Sequence, residues 1–253
     1  MGGRLVAAFA AFSLLLLSIA TPALAQERSG SRPGFTMPTN GQARILLLRP
    51  RIRVGAQSTG GMFEPNADWT AQARQNIATA LGQAQGGLGN RIIVQEEPTG
   101  NAAQISADYM ALFSALASSV REFQFFRGNR LPTKLRDNRN GNFDWSLGIG
   151  VSAIPGAADA DYALFISTED HYGSTGRKVL QVLAALGPGI AVRSGLHRGY
   201  AALIDLRTGN LLWLNADDQM GGDVRTADGA VRRVQQLLED FPGRAPVQAS
   251  SAR

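Results

Sequence analysis

The stretch GYAALIDLRTGNLLWLNAD, residues 199–217, decides the fold of this chain. Two alternating sets of side chains run through the first part: Tyr200, Ala202, Ile204 and Leu206 alternate with Ala201, Leu203 and Asp205. Apolar residues return at Leu211 and Trp213. A Thr208-Gly209 turn separates the two runs, and glycine supplies the positive φ that a tight hairpin needs. The pattern predicts two antiparallel strands, and it is also typical of one blade of a β-propeller.

A propeller would repeat this turn and its tryptophan at a period of about 40 to 50 residues. The sequence contains one copy of D-x-x-T-G-x-x-x-W, from Asp205 to Trp213. The hairpin is therefore solitary, and the elements around it must define the architecture.

Three continuous apolar runs precede the hairpin, at residues 44–48, 92–94 and 162–167. Runs of this length predict strands of a sheet that is covered on both faces. Pro50 follows the first run, and proline cannot donate a hydrogen bond to a neighbouring strand. We therefore expect the first strand to end there.

Helical periodicity separates the strands. Apolar residues recur every four positions from Trp69 to Leu81, after an N-cap at Asn66 or Asp68. A second helix is predicted over residues 105–123, and a closing helix over 231–241. The order is β-α-β-α-β-(α)-β-β-α, which predicts an α/β (α+β) fold: helices pack on a mixed sheet, and a carboxy-terminal β-hairpin is followed by a helix.

Residues 1–25, MGGRLVAAFAAFSLLLLSIATPALA, have the pattern of a cleaved secretory signal peptide with small residues at Ala23 and Ala25. The alternative is a retained membrane anchor, but the apolar core is shorter than the roughly 20 residues of a spanning helix. The chain has no cysteine, so it can carry no lipid anchor at that position, no disulfide and no thiolate chemistry. We predict a periplasmic protein that is not lipidated.

The remaining sequence is predicted to contain one domain. Residues 26–42 are rich in Gly, Pro, Ser and Thr, which indicates a flexible leader; residues 43–242 form the α/β domain, and residues 243–253 a disordered tail. Removal of residues 1–25 takes away Arg4 and no acid, which changes the formal net charge from +5 to +4. The arginines are scattered, so we predict no nucleic-acid partner.

The richest position for acid-base or metal chemistry is Glu169-Asp170-His171, because a carboxylate beside an imidazole can orient it or share a cation. A metal site would also need His197 and a carboxylate such as Asp161 or Asp205. A hydrolase could use Ser167 or Ser174, but neither lies in a G-x-S-x-G sequence.

The segment GSTGRK, residues 173–178, is too short for a phosphate-binding loop. The favoured interpretation of residues 169–171 is a solvated turn after the third strand. We therefore predict no catalytic residue, no metal ligand and no cofactor.

Five stretches carry a family resemblance: ILLLRP (45–50), NADWTAQARQNIATAL (66–81), DADYALFIS (159–167), LIDLRTGNLLW (203–213) and GGDVRT (221–226) before a helix that ends in Phe241-Pro242. In this order they resemble the exported envelope α/β domain shared by the curli-secretion lipoprotein CsgG, the outer-membrane activators of penicillin-binding proteins and the amino-terminal domain of TolB. Many members are lipoproteins, whereas this chain lacks the cysteine.

The resemblance implies a non-enzymatic binding or scaffolding protein of the cell envelope that acts through protein-protein contacts. The expected partner is an envelope protein or a second copy of the chain, as an oligomer. The alternative is a small exported hydrolase or metal-dependent enzyme centred on His171.

The apolar segment Lys178–Val192 has three interpretations. It could be a helix buried in the domain, a protruding element that docks a partner, or an element inserted in a membrane; Gly187-Pro188-Gly189 prevents a single spanning helix. The basic residues of 178–198 would suit peripheral contact with anionic lipid.

A Leu183→Asp substitution separates these interpretations. If the segment is buried, a charge without a partner prevents folding, as measured by circular dichroism. If the segment docks or inserts, the variant folds but elutes as a smaller species or no longer sediments with membranes.

Overall fold

A computed structural model of the chain describes residues 29–38, 42–126, 129, 143–174, 176 and 195–243. The predicted signal peptide, the segment Lys178–Val192 and nearly all of the tail lie outside these residues. No helix within these ranges is long and apolar enough to cross a membrane.

The described residues form one mixed sheet with helices packed on it, which confirms the predicted fold class. The strands are β1 (Ser29–Ser31), β2 (Arg44–Leu47), β3 (Arg51–Gln57), β4 (Phe63–Pro65), β5 (Arg91–Val94), β6 (Tyr162–Gly173), β7 (Leu196–Asp205) and β8 (Leu211–Asp217). The helices are α1 (Ala67–Ala84), α2 (Gly100–Val120) and α3 (Ala227–Leu237).

The sheet has the order β1-β8-β7-β6-β2-β5. The predicted hairpin is β7-β8, antiparallel, and Gly209 in its turn has the expected positive φ of 73°. β6 pairs antiparallel with β7 and parallel with β2 and β3, whereas β5 pairs parallel with β2. β6 is therefore the central strand on which both the parallel and the antiparallel parts of the sheet are built.

The first strand ends before Pro50, as predicted, but the chain then resumes pairing with the same neighbour in a strand that the sequence does not predict. Leu47 lies opposite Leu164 and Arg51 lies opposite Ser167, so β2 and β3 follow β6 with one extra residue between them. Proline without an N–H produces an interruption of the bulge type here. β4 then returns antiparallel along the outer side of β3.

The expectation of a solvated turn at Glu169-Asp170-His171 is wrong. These residues lie inside β6, between β3 on one side and β7 on the other. Backbone pairing on both sides keeps the strand extended after its apolar run has ended at Ser167.

Part of the predicted flexible leader is ordered. Ser29–Ser31 adds an antiparallel strand to β8, with Ser31 opposite Trp213. Met37 is buried against the domain. A Gly- and Ser-rich strand has no hydrophobic periodicity, so nothing in the sequence indicated it.

Two of the three helices begin at a side-chain cap, whereas the side chain of Thr99 before α2 makes no capping hydrogen bond. The side chain of Asn66 accepts a 2.9 Å hydrogen bond from the Trp69 N–H at the start of α1, and Thr226 accepts one from the Gly229 N–H at the start of α3. α1 ends at Ala84 in a short 3-10 turn that contains Gly86-Gly87, and α2 continues into one π-helical turn over Arg121–Phe125.

The sheet separates two apolar cores. On the α1/α3 face, helices α1 and α3 cover alternate sheet residues, among them Ile45, Leu164, Ile166, Leu203 and Trp213. On the α2 face, helix α2 covers the intervening ones, among them Leu46, Ala163, Phe165, Ala202 and Ile204. This alternation fixes which side chains of β6 and β7 can meet.

We expect a Trp213→Ala substitution to lower the free energy of unfolding by about 3 to 5 kcal/mol. Trp213 is fully buried, and its ring meets Phe241, just beyond α3, edge to face at 5.3 Å. The buried indole N–H has no hydrogen-bond partner among the described residues, so Trp213→Phe should lose less stability than Trp213→Ala. Urea unfolding of both variants, with the exposed Met62→Ala as control, measures this; an unchanged midpoint for Trp213→Ala would contradict it.

Candidate functional site

The structure places the sequence-predicted residues on opposite faces of the sheet. Asp170 points to the α1/α3 face, whereas Glu169 and His171 point to the α2 face, because neighbouring residues of a strand alternate. His197 in β7 lies directly opposite Asp170. The four residues therefore form two separate pairs, Asp170 with His197 and Glu169 with His171, and do not converge on one point.

Asp170 is the centre of a buried polar network. Both of its carboxylate oxygens accept hydrogen bonds from the guanidinium of Arg233 in α3, at 2.7 and 2.9 Å. One oxygen also lies 2.8 Å from Nδ1 of His197, and the other accepts the Thr168 hydroxyl at 2.9 Å. Asp170 and Arg233 are both fully buried.

The segment before α3 completes this network. Arg233 donates its Nε–H to the carbonyl of Gly221 at 2.9 Å and a further N–H to the carbonyl of Gly222 at 3.1 Å. Gly222 has a φ of 82°, and an added Cβ would collide with the carbonyl of Gly229. The glycines of GGDVRT thus let the backbone turn its carbonyls toward the guanidinium.

The pKa of Asp170 shows how the network is balanced. Burial alone raises the pKa of this carboxyl, but the hydrogen bonds from His197 and Arg233 and the charge of Arg233 outweigh burial, so the pKa lies below its ordinary value. The carboxylate is therefore ionised, compensated and enclosed. These are the properties of an interaction that holds β6, β7 and α3 together.

On the α2 face, Glu169 and His171 form a separate pair. The His171 Nε2 lies 2.8 Å from Glu169, whose other oxygen accepts a 2.9 Å hydrogen bond from Arg53 of β3. The imidazole stacks on Phe63 with ring centroids 4.2 Å apart. The side chain of His171 is thus enclosed between its carboxylate and an aromatic ring.

An arginine lies between two aromatic rings on the opposite face. The guanidinium of Arg225 lies 3.6 Å from the centroid of Tyr172 and 4.7 Å from that of Trp69. Asp223 binds both Arg225 and the Tyr172 hydroxyl. The Arg225 hydrogen bond is the main cause that holds the pKa of Asp223 below its usual range, and burial raises the pKa of Tyr172.

The remaining candidates lie elsewhere. Asp161 pairs with Arg44 at the far end of β6, and Asp205 accepts the backbone N–H groups of Arg207 and Thr208 in the hairpin turn. Ser167 belongs to the α2 face by strand alternation, away from Asp170. Of GSTGRK, only Gly173, Ser174 and Gly176 are among the described residues.

These positions bear on the enzymatic alternative. Within the ranges given above, no group of three or more His, Asp or Glu side chains is placed to hold a metal ion. The two imidazoles lie on opposite faces of β6 and β7, so they cannot share a ligand or a substrate atom.

The open edge of the sheet is a feature that the sequence interpretation missed. β5 pairs on one side with β2, and the described part of the chain provides no strand on its other side. The Arg91 and Gln95 N–H groups donate to β2, so by alternation the N–H and C=O groups of Ile92 and Val94 point outward. Val94 is 58% exposed.

Two clefts flank the carboxyl end of β5. One, of about 530 Å³, lies toward α2 and includes Arg51, Gln95 and Asp108 in its lining. The other, of about 590 Å³, lies toward α1 and includes Arg74, Val94 and Glu97. The clefts flank an open strand edge, which is a shape that suits an extended protein segment.

No family model matches the chain, and no curated protein matches it in sequence. Two solved structures align along most of its length. A dodecamer of a single-substitution variant of PelC from Paraburkholderia phytofirmans has a TM-score of 0.32 and 12% identity, over 86% of this chain and 96% of that one. The PelC dodecamer from the same organism has a TM-score of 0.29 and 13% identity, over 87% and 97%. Similarity at this level carries no argument about this chain.

We expect Asp170→Asn and Arg233→Met each to lower the free energy of unfolding by about 3 to 5 kcal/mol, because each leaves a buried charge without its partner. The double variant should be less destabilised than the sum of the two, since it removes both charges. Chemical denaturation at neutral pH gives all three values, and additive losses would contradict a direct interaction.

The same network predicts how stability depends on pH. Because folding lowers the pKa of Asp170, its ionisation stabilises the fold fully above about pH 4, and this contribution is lost as the pH falls toward the folded pKa. The Asp170→Asn variant should lack this component of the acid dependence. Unfolding free energies at several pH values between neutrality and acid, compared with the wild type, test the sign.

Proposed function

We propose that this chain is a periplasmic, non-enzymatic protein of the cell envelope that acts by binding other proteins, related to the exported α/β domains of CsgG, the penicillin-binding-protein activators and TolB. The observation that carries the proposal is the open edge of β5. Three apolar residues lie on it, and its outward backbone groups have no backbone partner among the described residues, so an added strand can pair with them.

The condition of this edge supports a binding role. Soluble proteins usually protect an edge strand with a charge, a proline, a bulge or a covering element. Ile92, Ile93 and Val94 include no charge and no proline, no strand among the described residues covers their outer side, and Val94 is exposed beside a cleft. An edge of this kind is a ready template for a strand of a partner.

The internal pairing of the candidate groups also supports a binding role. Asp170 is bound by Arg233 and His197, and Glu169 is bound by His171 and Arg53. Carboxylates engaged in this way are not available as general acids or bases without loss of the contacts that fold the domain.

The proposed compartment rests on residues 1–25, whose apolar core and A-x-A ending are typical of a cleaved signal peptide. With that segment removed, a modest positive charge remains, which suits a compartment bounded by anionic lipid. We assign no cofactor and no nucleic-acid partner.

We expect a photoreactive amino acid at Val94 to crosslink the chain to a protein of the envelope in intact cells of the native host. The same amino acid at Met62, which is 72% exposed in the β3–β4 connection, is the matched control. Crosslinked bands at position 94 and not at 62, identified by mass spectrometry, support the proposal.

Fractionation of the same cells tests the compartment. The proposal requires the chain in the periplasmic fraction, with Gln26 as its first residue. Recovery in the cytoplasm with residues 1–25 intact, or no crosslinked protein at position 94, would contradict it.

A further inference from the structure

The edge strand β5 has a charge pattern that complements its own reverse. Residues 91–97 read RIIVQEE, with a cation at the amino end, three apolar residues, and two acids directly after the strand. A copy that runs antiparallel would place its Glu96 near Arg91 and its own arginine near Glu96, whereas Glu97 is already paired with Arg49 at 2.7 Å. Arg91 and Glu96 are both exposed.

We infer that β5 pairs antiparallel with β5 of a second copy of this chain, so that one continuous sheet crosses a two-fold axis. The inference rests on the proposed role of this edge in protein contacts, and of the two expected partners, an envelope protein or a second copy, it takes the second copy. A two-fold contact needs a surface that complements itself, and the RIIVQEE pattern meets that condition.

The backbone allows one well-bonded register. Outward N–H and C=O groups belong to Ile92 and Val94, so pairing Ile92 with Val94 of the second copy forms hydrogen bonds at both positions. The two-fold axis then passes beside Ile93, which faces Ile93 of the second copy. In this register Arg91 lies opposite Gln95 of the second copy, next to its Glu96.

The side chains are compatible with this arrangement on both faces. Ile92 packs against the α1/α3 core and Ile93 against the α2 core, so a second sheet edge would extend both cores across the axis. Val94 would lose its exposure by contact with Ile92 of the second copy. No like charges face each other in this register.

A pair of four-residue strands is a small contact, so we expect a weak dimer with a Kd in about the micromolar range. Sedimentation of the purified mature chain over a range of concentrations, at low salt, measures it. Val94→Lys should weaken the dimer by at least about tenfold, because two lysines would meet the apolar edge. Met62→Lys makes the same change at a position away from the edge and should leave the Kd unaltered.

A charge exchange tests the orientation. Arg91→Glu alone places an acid one residue from Glu96 of the second copy, and Glu96→Arg alone places a cation near Arg91, so the repulsion between like charges should weaken the dimer in each variant. The double variant Arg91→Glu/Glu96→Arg restores opposite charges and should recover affinity. These sites are exposed, and circular dichroism verifies that each variant is folded.

Three results would overturn the inference. One is a chain that remains monomeric at high micromolar concentration. Another is a dimer that Val94→Lys leaves intact. The third is a full-length chain that is monomeric and dimerises only after the residues that follow Gly243 are deleted. Gly243 lies beside Gly89 and Asn90 at the start of β5. That result would mean that the end of the chain covers the β5 edge.

These measurements use purified protein alone. If the purified chain dimerises but Val94 gives no crosslink to another envelope protein, the proposed binding of other proteins is refuted and this inference stands. If Val94 crosslinks to another envelope protein but the purified chain stays monomeric, only the dimer is refuted.

Discussion

The buried pair between Asp170 and Arg233 is the interaction on which the other parts of the fold depend. Two enclosed charges are costly to desolvate, and they are tolerated when each has further hydrogen bonds. Here Thr168 and His197 bind the carboxylate, and the carbonyls of Gly221 and Gly222 bind the guanidinium. The pair therefore joins the central strand, the hairpin and the last helix, and it fixes the path of the GGDVRT segment. Replacement of one member leaves the other charge buried without its partner at the point where these elements meet.

The same strand explains why residues that look like a catalytic cluster do not form one. Glu169, Asp170 and His171 are adjacent in sequence, and in an extended chain adjacency separates side chains. Asp170 enters the α1/α3 face, while Glu169 and His171 enter the α2 face, where Arg53 and Phe63 hold them. Inside a strand only residues two apart, such as Glu169 and His171, share a face, so an acid directly next to a histidine does not indicate a joint site there. Whether residues 169–171 can form a site therefore depends on the secondary structure that contains them.

The sequence predicts the hairpin, the buried Trp213 and all three helices, because each has a period or a cap that local chemistry produces. It does not predict β3, although RIRVGAQ alternates charged and apolar residues from Arg51 to Val54, because Pro50 indicates the end of a strand. β1 could not be found, since Ser29–Ser31 has no apolar side chain and owes its structure to pairing with β8. The partner of Asp170 lies 63 residues away in Arg233, and no local pattern connects them. Pairing between residues far apart in the chain cannot be predicted from local patterns in a single sequence.

The edges of the sheet differ in how they are protected, and this difference gives β5 its importance. At the hairpin side, β1 is three small or polar residues, too short and too polar to recruit another strand. Beside β3, the Val54 backbone is bonded by Thr70 and Asn66 at the start of α1, and β4 pairs with the residues that follow. β5 alone among these described edges presents consecutive apolar residues with outward backbone groups. The charges at the two ends of β5 have opposite signs, so they do not repel every added strand. They favour one orientation of the added strand over the other. The outward backbone groups of β5 can pair with an added strand, and its charges disfavour strands that bring like charges together. An antiparallel copy of β5 places opposite charges near each other, so it is the partner that we infer.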